Sequence, residues 1–299
     1  MIDQVLVELP ASFTFTDVTD EQNRARGLGI IGAAFGLGFI IGPAMGGFLS
    51  RFGFNVPALV AAGLSLLNLI GVILWLPESL TEAVKEEIRN SPRTGFTPRA
   101  LWEALRQPCC ADLLHLSLIN SLAFTFFQAN FALWAKTRLG LTAQATSFVL
   151  TYVGMLAVFV QGLAIGRLTS RFSERPLVVA GTTMMALALA SWSISPSVFW
   201  LLLTLAPIAL AGGVLNTVLT SQLTKAVRAE EVGGILGLAT SLQTFAQIIA
   251  PGVGGVLLAR VGTWAPGVLG SALMAWATWF AWQQLIRRGE RRKAAMPLD

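Results

Sequence analysis

The chain has 299 residues, of which 54% are apolar and only 12% charged, with a formal net charge of +5 and a mean hydropathy of +0.66. Soluble domains average about 45–50% apolar and about 25% charged residues, so a water-soluble globule and a disordered chain are both excluded. The two cysteines, Cys109 and Cys110, are adjacent and make neither a disulfide framework nor a zinc site, which leaves an all-α polytopic membrane protein.

A helix needs about 20 mostly apolar residues to cross the bilayer core. Eight runs meet that need: about 27–49, 56–76, 112–135, 145–166, 177–194, 198–221, 233–259 and 264–286. Residues 1–23 carry five acids and no Lys or Arg, so no basic signal-peptide region precedes the first run. Three parts follow: a two-span N-terminal segment (1–76), a long polar loop (77–111), and a six-span bundle with a basic tail (112–299).

The first span holds Gly38, Gly42 and Gly46, four apart, with Pro43 and Gly47. Small residues at that spacing share one helix face and let two backbones approach closely. Gly27-x-Gly29-x-x-Gly32 matches the letters of a dinucleotide fingerprint, but no strand precedes it and no acid lies between Glu21 and Glu78, so its context argues against nucleotide binding. In the loop, Ser79 and Glu82 have capping-box spacing and Thr97-Pro98 reads as a second helix start. Trp102 between Arg99 and Arg106 suits either an interfacial helix or a solvated linker. Cys109-Cys110 reads as a pair of inert thiols at the membrane edge, and Asp112 with His115, one helical turn on, as an interfacial pair.

The remaining spans are free of deep acids, but they carry amides. The third has Asn120 and Gln128 with Phe124 between; the fourth has Gln161; the sixth has Asn216 one turn after Gly212-Gly213; the seventh has a stripe of Thr240, Gln243, Thr244 and Gln247. An unpaired amide is costly in lipid, so these groups either bond across helices or line a cavity for a small-molecule substrate. Phe124, Phe127, Trp134 and Trp192 are available as its apolar walls, Trp134 alternatively as an interfacial belt residue. No nucleophile–base pair or deep histidine supports an enzyme, and nothing calls for a cofactor or a metal.

Seventeen of the 21 Lys and Arg residues fall on the side of the membrane that holds both termini. By the positive-inside rule that side is the cytoplasm. Anionic lipid of the bilayer is a sufficient partner for these charges, and nucleic acid is not required.

An internal repeat joins the two ends of the chain. Gly42-Pro43-Ala44-Met45-Gly46-Gly47 and Ala250-Pro251-Gly252-Val253-Gly254-Gly255 lie 208 residues apart, and at that offset Gly38, Gly42 and Gly46 meet Ala246, Ala250 and Gly254. If span seven repeats span one, the unit is six spans. The eight spans then read as the last eight of twelve, with four expected upstream of Met1.

Gly38-x-x-x-Gly42-Pro43-x-x-Gly46-Gly47 resembles the antiporter motif in the fifth helix of the major facilitator superfamily, and Asp17–Arg26 is similar to the loop before that helix. The stretch Gly166–Pro176, with Gly166, Arg171 and Arg175 at motif positions, resembles the second copy of the family's cytoplasmic loop motif. It departs at Ser170, where Asp is usual, and at Ser173, where Gly is usual. The nearest group is the drug:proton antiporters, including the tetracycline exporters, and the resemblance runs from Asp17 to Ile286. It implies an inner (plasma) membrane protein that exports small amphipathic compounds by alternating access, with protons as the coupling ion. The alternatives are a transport-inactive fragment of such an exporter, or a membrane scaffold that binds partners through loop 77–111.

Overall fold

A computed structural model describes residues 37–53 except 39, 55–75, 108–227 and 232–287. The chain divides into two units, Met1–Gly95 and Phe96–Asp299. Among the described residues all regular structure is helical, and the protein is an integral membrane bundle in which six helices alone meet the length and hydropathy of a membrane span.

In the first unit, helix α1 (40–49) ends in a 3-10 turn, Ser50–Phe52, and the chain reverses at Gly53 into α2 (Asn55–Trp75). Gly53 has φ 128, a backbone that side-chain-bearing residues avoid. Leu59, Ile73 and Leu74 of α2 are each about two-thirds exposed or more, with values of 70%, 71% and 67%. A helix apolar on all sides belongs in hydrocarbon.

The second unit holds α3 (Pro108–Leu139), α4 (Ala143–Phe159, running on through a π turn at Val160–Ala164 into Ile165–Arg171), α5 (Glu174–Ser193), α6 (Val198–Lys225), α7 (Val232–Arg260) and α8 (Ala265–Ala281, running into a π turn at Trp282–Arg287). Their ends follow from local chemistry. Pro108 opens α3, where a missing N–H costs nothing. Gly140 closes it at φ 65, its N–H bonded to the Lys136 carbonyl at 3.1 Å, an αL cap. The Thr142 hydroxyl accepts from the Ala145 N–H at 3.2 Å to start α4, and that of Ser197 from the Trp200 N–H at 3.3 Å to start α6.

Each of the eight expected spans overlaps a described helix, the first only over 37–49, and six of these helices qualify as spans against the eight expected; several helices outrun their span. Lys136, Arg138, Lys225 and Arg260 sit in last turns, where cations suit the helix dipole and long side chains reach the headgroups. Hydropathy cannot register such turns. The features expected in residues 1–36, in loop residues 77–107 and in the tail beyond 287 lie outside the described residues.

Helix α3 packs against α7, α8, α6 and α4, while α5 is held between α6 and α8. A Cβ on Gly267 of α8 would stand 2.5 Å from the Ser193 Cβ and 3.1 Å from the Leu189 carbonyl of α5. One on Gly270 would stand 3.2 Å from Leu189 and 3.5 Å from the Ala123 carbonyl of α3. Glycine alone lets α8 settle between them. The Ser271 hydroxyl adds a bond across the seam, donating to the Ala186 carbonyl at 2.8 Å. Phe127, Phe131, Trp134 and Trp192 form the core at one end of the bundle. The ring centroids are 5.0 Å apart for Phe127–Trp192 and 5.1 Å apart for Trp134–Trp192. Both tryptophans are fully buried, so Trp134 is a core residue and not part of an interfacial belt.

Candidate functional site

The Gly212–Gly213 pair is the crossing point of the second unit. A Cβ on Gly212 would lie 3.3 Å from the Phe124 ring of α3 and 3.6 Å from Met185 of α5; one on Gly213 would lie 2.7 Å from Val160, in the π turn of α4. Gly212 stands midway along α6 and Phe124 midway along α3. Three helices therefore close on α6 near the middle of the bundle because two side chains there are missing.

The amides expected from sequence are ordered around this crossing. Helices α3 and α6 run antiparallel, so Asn120, one turn before Phe124, and Asn216, one turn after Gly212, stand at the same depth. Helix α7 runs parallel to α3 and is registered to it where Gly254 meets the Asn130 amide. Counting back from that contact sets Gln243 level with Asn120, and Gln247 level with Phe124. Gln161 lies in the π turn beside Val160, at the depth of Gly213. One layer thus holds Asn120, Phe124, Gln161, Asn216, Gln243 and Gln247. Gln128 sits one turn farther along α3, outside the layer. Gln128, Gln161, Asn216 and Gln243 are exposed, while Asn120, Phe124 and Gln247 are half-buried.

The Asn120 Oδ1 is buried and has no hydrogen-bond partner among the described residues. An unmet buried acceptor costs about 1–3 kcal/mol, and a donor arriving in this layer would recover it. The layer holds one aromatic ring, five amides and no carboxylate, a set that suits an uncharged or amphipathic partner more than a metal ion or a strong cation.

The two copies of the repeat differ in their surroundings. In α7, Ala246, Ala250 and Gly254 are buried, and a Cβ on Gly254 would overlap the Asn130 amide. This is the close helix contact expected of the stripe, and Pro251 and Gly255 beside it are half-buried. At Gly38, Gly42 and Gly46 a Cβ meets no atom within 4 Å among the described residues. Gly47 is buried and Pro43 half-buried. At the loop motif Gly166, Arg171 and Arg175 are exposed.

Sequence reading missed two features. Asn130 is 3% exposed and donates from Nδ2 to the Phe126 carbonyl at 3.0 Å; an asparagine ten residues beyond Asn120 in the same span was the available signal. Glu174, beside the loop motif, takes the Lys225 Nζ at 2.7 Å and the Ser221 hydroxyl at 2.9 Å. It ties the start of α5 to the end of α6. Opposite charges at span ends facing one side of the membrane were the signal. His115, the sole histidine, accepts from the Trp276 indole N–H at 3.4 Å and lies 4.9 Å from the Phe280 ring. It sits against α8, about 7.5 Å along α3 from Asn120.

The profile of the Major Facilitator Superfamily matches residues 9–162 and 113–297, two overlapping stretches that together cover most of the chain. Solute carrier family 22 member 18 of Rattus norvegicus is 29% identical over 256 residues, covering 85% of this chain and 62% of that protein. Tetracycline resistance protein, class C, of Escherichia coli is 28% identical over 262 residues, covering 86% and 65%. The chain therefore spans somewhat under two-thirds of the length of these relatives. The crystal structure of the human organic anion transporter MFSD10 (TETRAN) superposes with a TM-score of 0.61 at 18% identity, over 90% of this chain and 66% of that one.

Proposed function

The chain belongs to the Major Facilitator Superfamily, and we propose that it serves proton-coupled export of small amphipathic compounds by alternating access, with the amide layer around Gly212–Gly213 as the substrate-facing surface of its six-helix bundle. The observation that carries this reading is the placement of Asn120, Asn216 and Gln243 at one depth midway through the bundle, where the substrate sites of transporters built from repeats lie. The similarity to a tetracycline resistance protein supports the direction of transport and the substrate class. The charge asymmetry of the loops supports cytoplasmic termini. On this reading the exposed amides face substrate and Asn120 Oδ1 receives a donor from it.

The test is accumulation of tetracycline or a cationic dye by everted membrane vesicles containing the protein. Accumulation that collapses with a protonophore is expected. Gly213→Leu, which drives a side chain into Val160, is expected to abolish it. Asn120→Leu should weaken substrate binding and leave insertion unchanged. Accumulation indifferent to the proton gradient would overturn the coupling. Full activity in Asn120→Leu and in Gln243→Leu would overturn the assignment of the layer.

A further inference from the structure

We propose that a groove between α5 and α6 is a resident site for one acyl chain of a phospholipid. The groove encloses about 550 Å3, and its lining includes Ala180, Thr183 and Ala188 of α5 with Leu203, Thr204 and Pro207 of α6. It runs along the flank of α5 beside its core face: Ala188 is buried on the same side as Gly181, Met185 and Trp192, while Thr183 and Leu187 are exposed. Its floor is small: Ala188 and Thr204 are only 4% and 5% exposed. Its rims are large and outward: Leu187, Leu203 and Trp200 are 68%, 58% and 42% exposed. Small residues between bulky ones make a channel where an even row of leucines would make a ridge.

The chemistry of the lining selects the occupant. The Thr183 hydroxyl donates to the Val179 carbonyl at 2.8 Å, and that of Thr204 to the Leu201 carbonyl at 2.8 Å. The Ser191 hydroxyl accepts from the Trp200 indole N–H at 3.1 Å. The Thr183 and Thr204 protons are thus spent within their own helices, and the rest of the lining is mainly apolar, which favours hydrocarbon over a polar ligand. Length gives the second argument. From Ser191 to Ala180 along α5 is about 16 Å at 1.5 Å per residue, roughly half of a ~30 Å hydrocarbon core and so the depth of one leaflet. The Trp200–Ser191 pair stands at the end near the α5–α6 turn, where an indole suits the headgroup boundary.

The site is tested on the whole chain reconstituted in vesicles of phosphatidylethanolamine and phosphatidylglycerol, extracted in mild detergent and weighed by native mass spectrometry. A retained adduct of one phospholipid is expected. Thr183→Phe, at an exposed position that fills the groove, should lower its abundance about tenfold, the loss for about two methylenes denied burial. Val256→Phe, exposed on α7, should leave it unchanged. An independent measure is the fluorescence of Trp200, taken as the difference between wild type and Trp200→Phe. Phosphatidylcholine brominated along its acyl chain should quench it, and Thr183→Phe should at least halve the quenching. An adduct equally abundant in Thr183→Phe, no adduct in wild type, quenching untouched by Thr183→Phe, or a dimer of chains occupying this face would each overturn the site.

Discussion

Position 254 offers a direct test of the contact between α7 and α3. An alanine at 254 puts its Cβ into the Asn130 amide. Asn130 is 3% exposed and bonded to the Phe126 carbonyl at 3.0 Å, so it has little room to withdraw without breaking that bond. Overpacking of this kind costs about 1–3 kcal/mol, and the lost hydrogen bond about 1 kcal/mol. Replacing glycine inside a helix returns roughly 0.5–1 kcal/mol. Gly254→Ala should therefore destabilise the bundle by about 1–3 kcal/mol. Asn130→Ala removes the obstacle, so Gly254→Ala in that background should be neutral or stabilising, a coupling of at least about 1 kcal/mol. The assay is reversible unfolding of the purified protein in mixed micelles, with the two single variants and the double variant side by side. Additivity of Gly254→Ala and Asn130→Ala would refute the contact.

Three further outcomes are expected. Single cysteines at positions 136 and 89, in a background lacking Cys109 and Cys110, should differ in reaction with an impermeant maleimide on intact cells; labelling at 89 would overturn cytoplasmic termini. Ser271→Ala removes the bond to the Ala186 carbonyl and should cost about 0.6 kcal/mol, typical of interhelical hydrogen bonds in membranes; a loss beyond about 2 kcal/mol would mean that the hydroxyl does more than bridge α8 to α5. Trp134→Phe removes a fully buried indole whose N–H has no partner among the described residues. The gain from deleting that donor, about 1–3 kcal/mol, offsets much of the lost packing. Its cost in unfolding experiments should then fall well short of the about 3–5 kcal/mol of truncating a core tryptophan to alanine.

Sequence carried the helices because hydropathy and length are properties of one segment at a time. Asn55–Trp75 and Glu174–Ser193 match their expected spans within a few residues for that reason. The repeat was legible too, since identical spacing survives in letters. What could not be read was partnership. Trp134 near the end of α3 has the address of a belt residue, and only the arrival of Trp192 from α5 makes it core. Asn120 and Asn130 look alike in sequence, yet the first has an unmet oxygen at mid-bundle and the second seats a glycine of α7. The stripe in α1 predicts a close contact, but spacing cannot name the helix that supplies it.

The π turn at Val160–Ala164 has a consequence for how α4 presents itself. A π turn is an α-helix with one residue too many wound into it. Each residue advances an α-helix by about 100°, so everything after the turn points about 100° away from where an uninterrupted α4 would aim it. Ile165 is buried and approaches the site of a Gly213 Cβ to 3.6 Å, while Arg167 and Arg171 emerge at the far end. Deleting one residue here would shorten the helix by only about 1.5 Å, yet it would turn Ile165 away from α6 and re-aim both arginines. The bulge acts as a rotary offset between the membrane half of α4 and its charged end, set by a single extra residue.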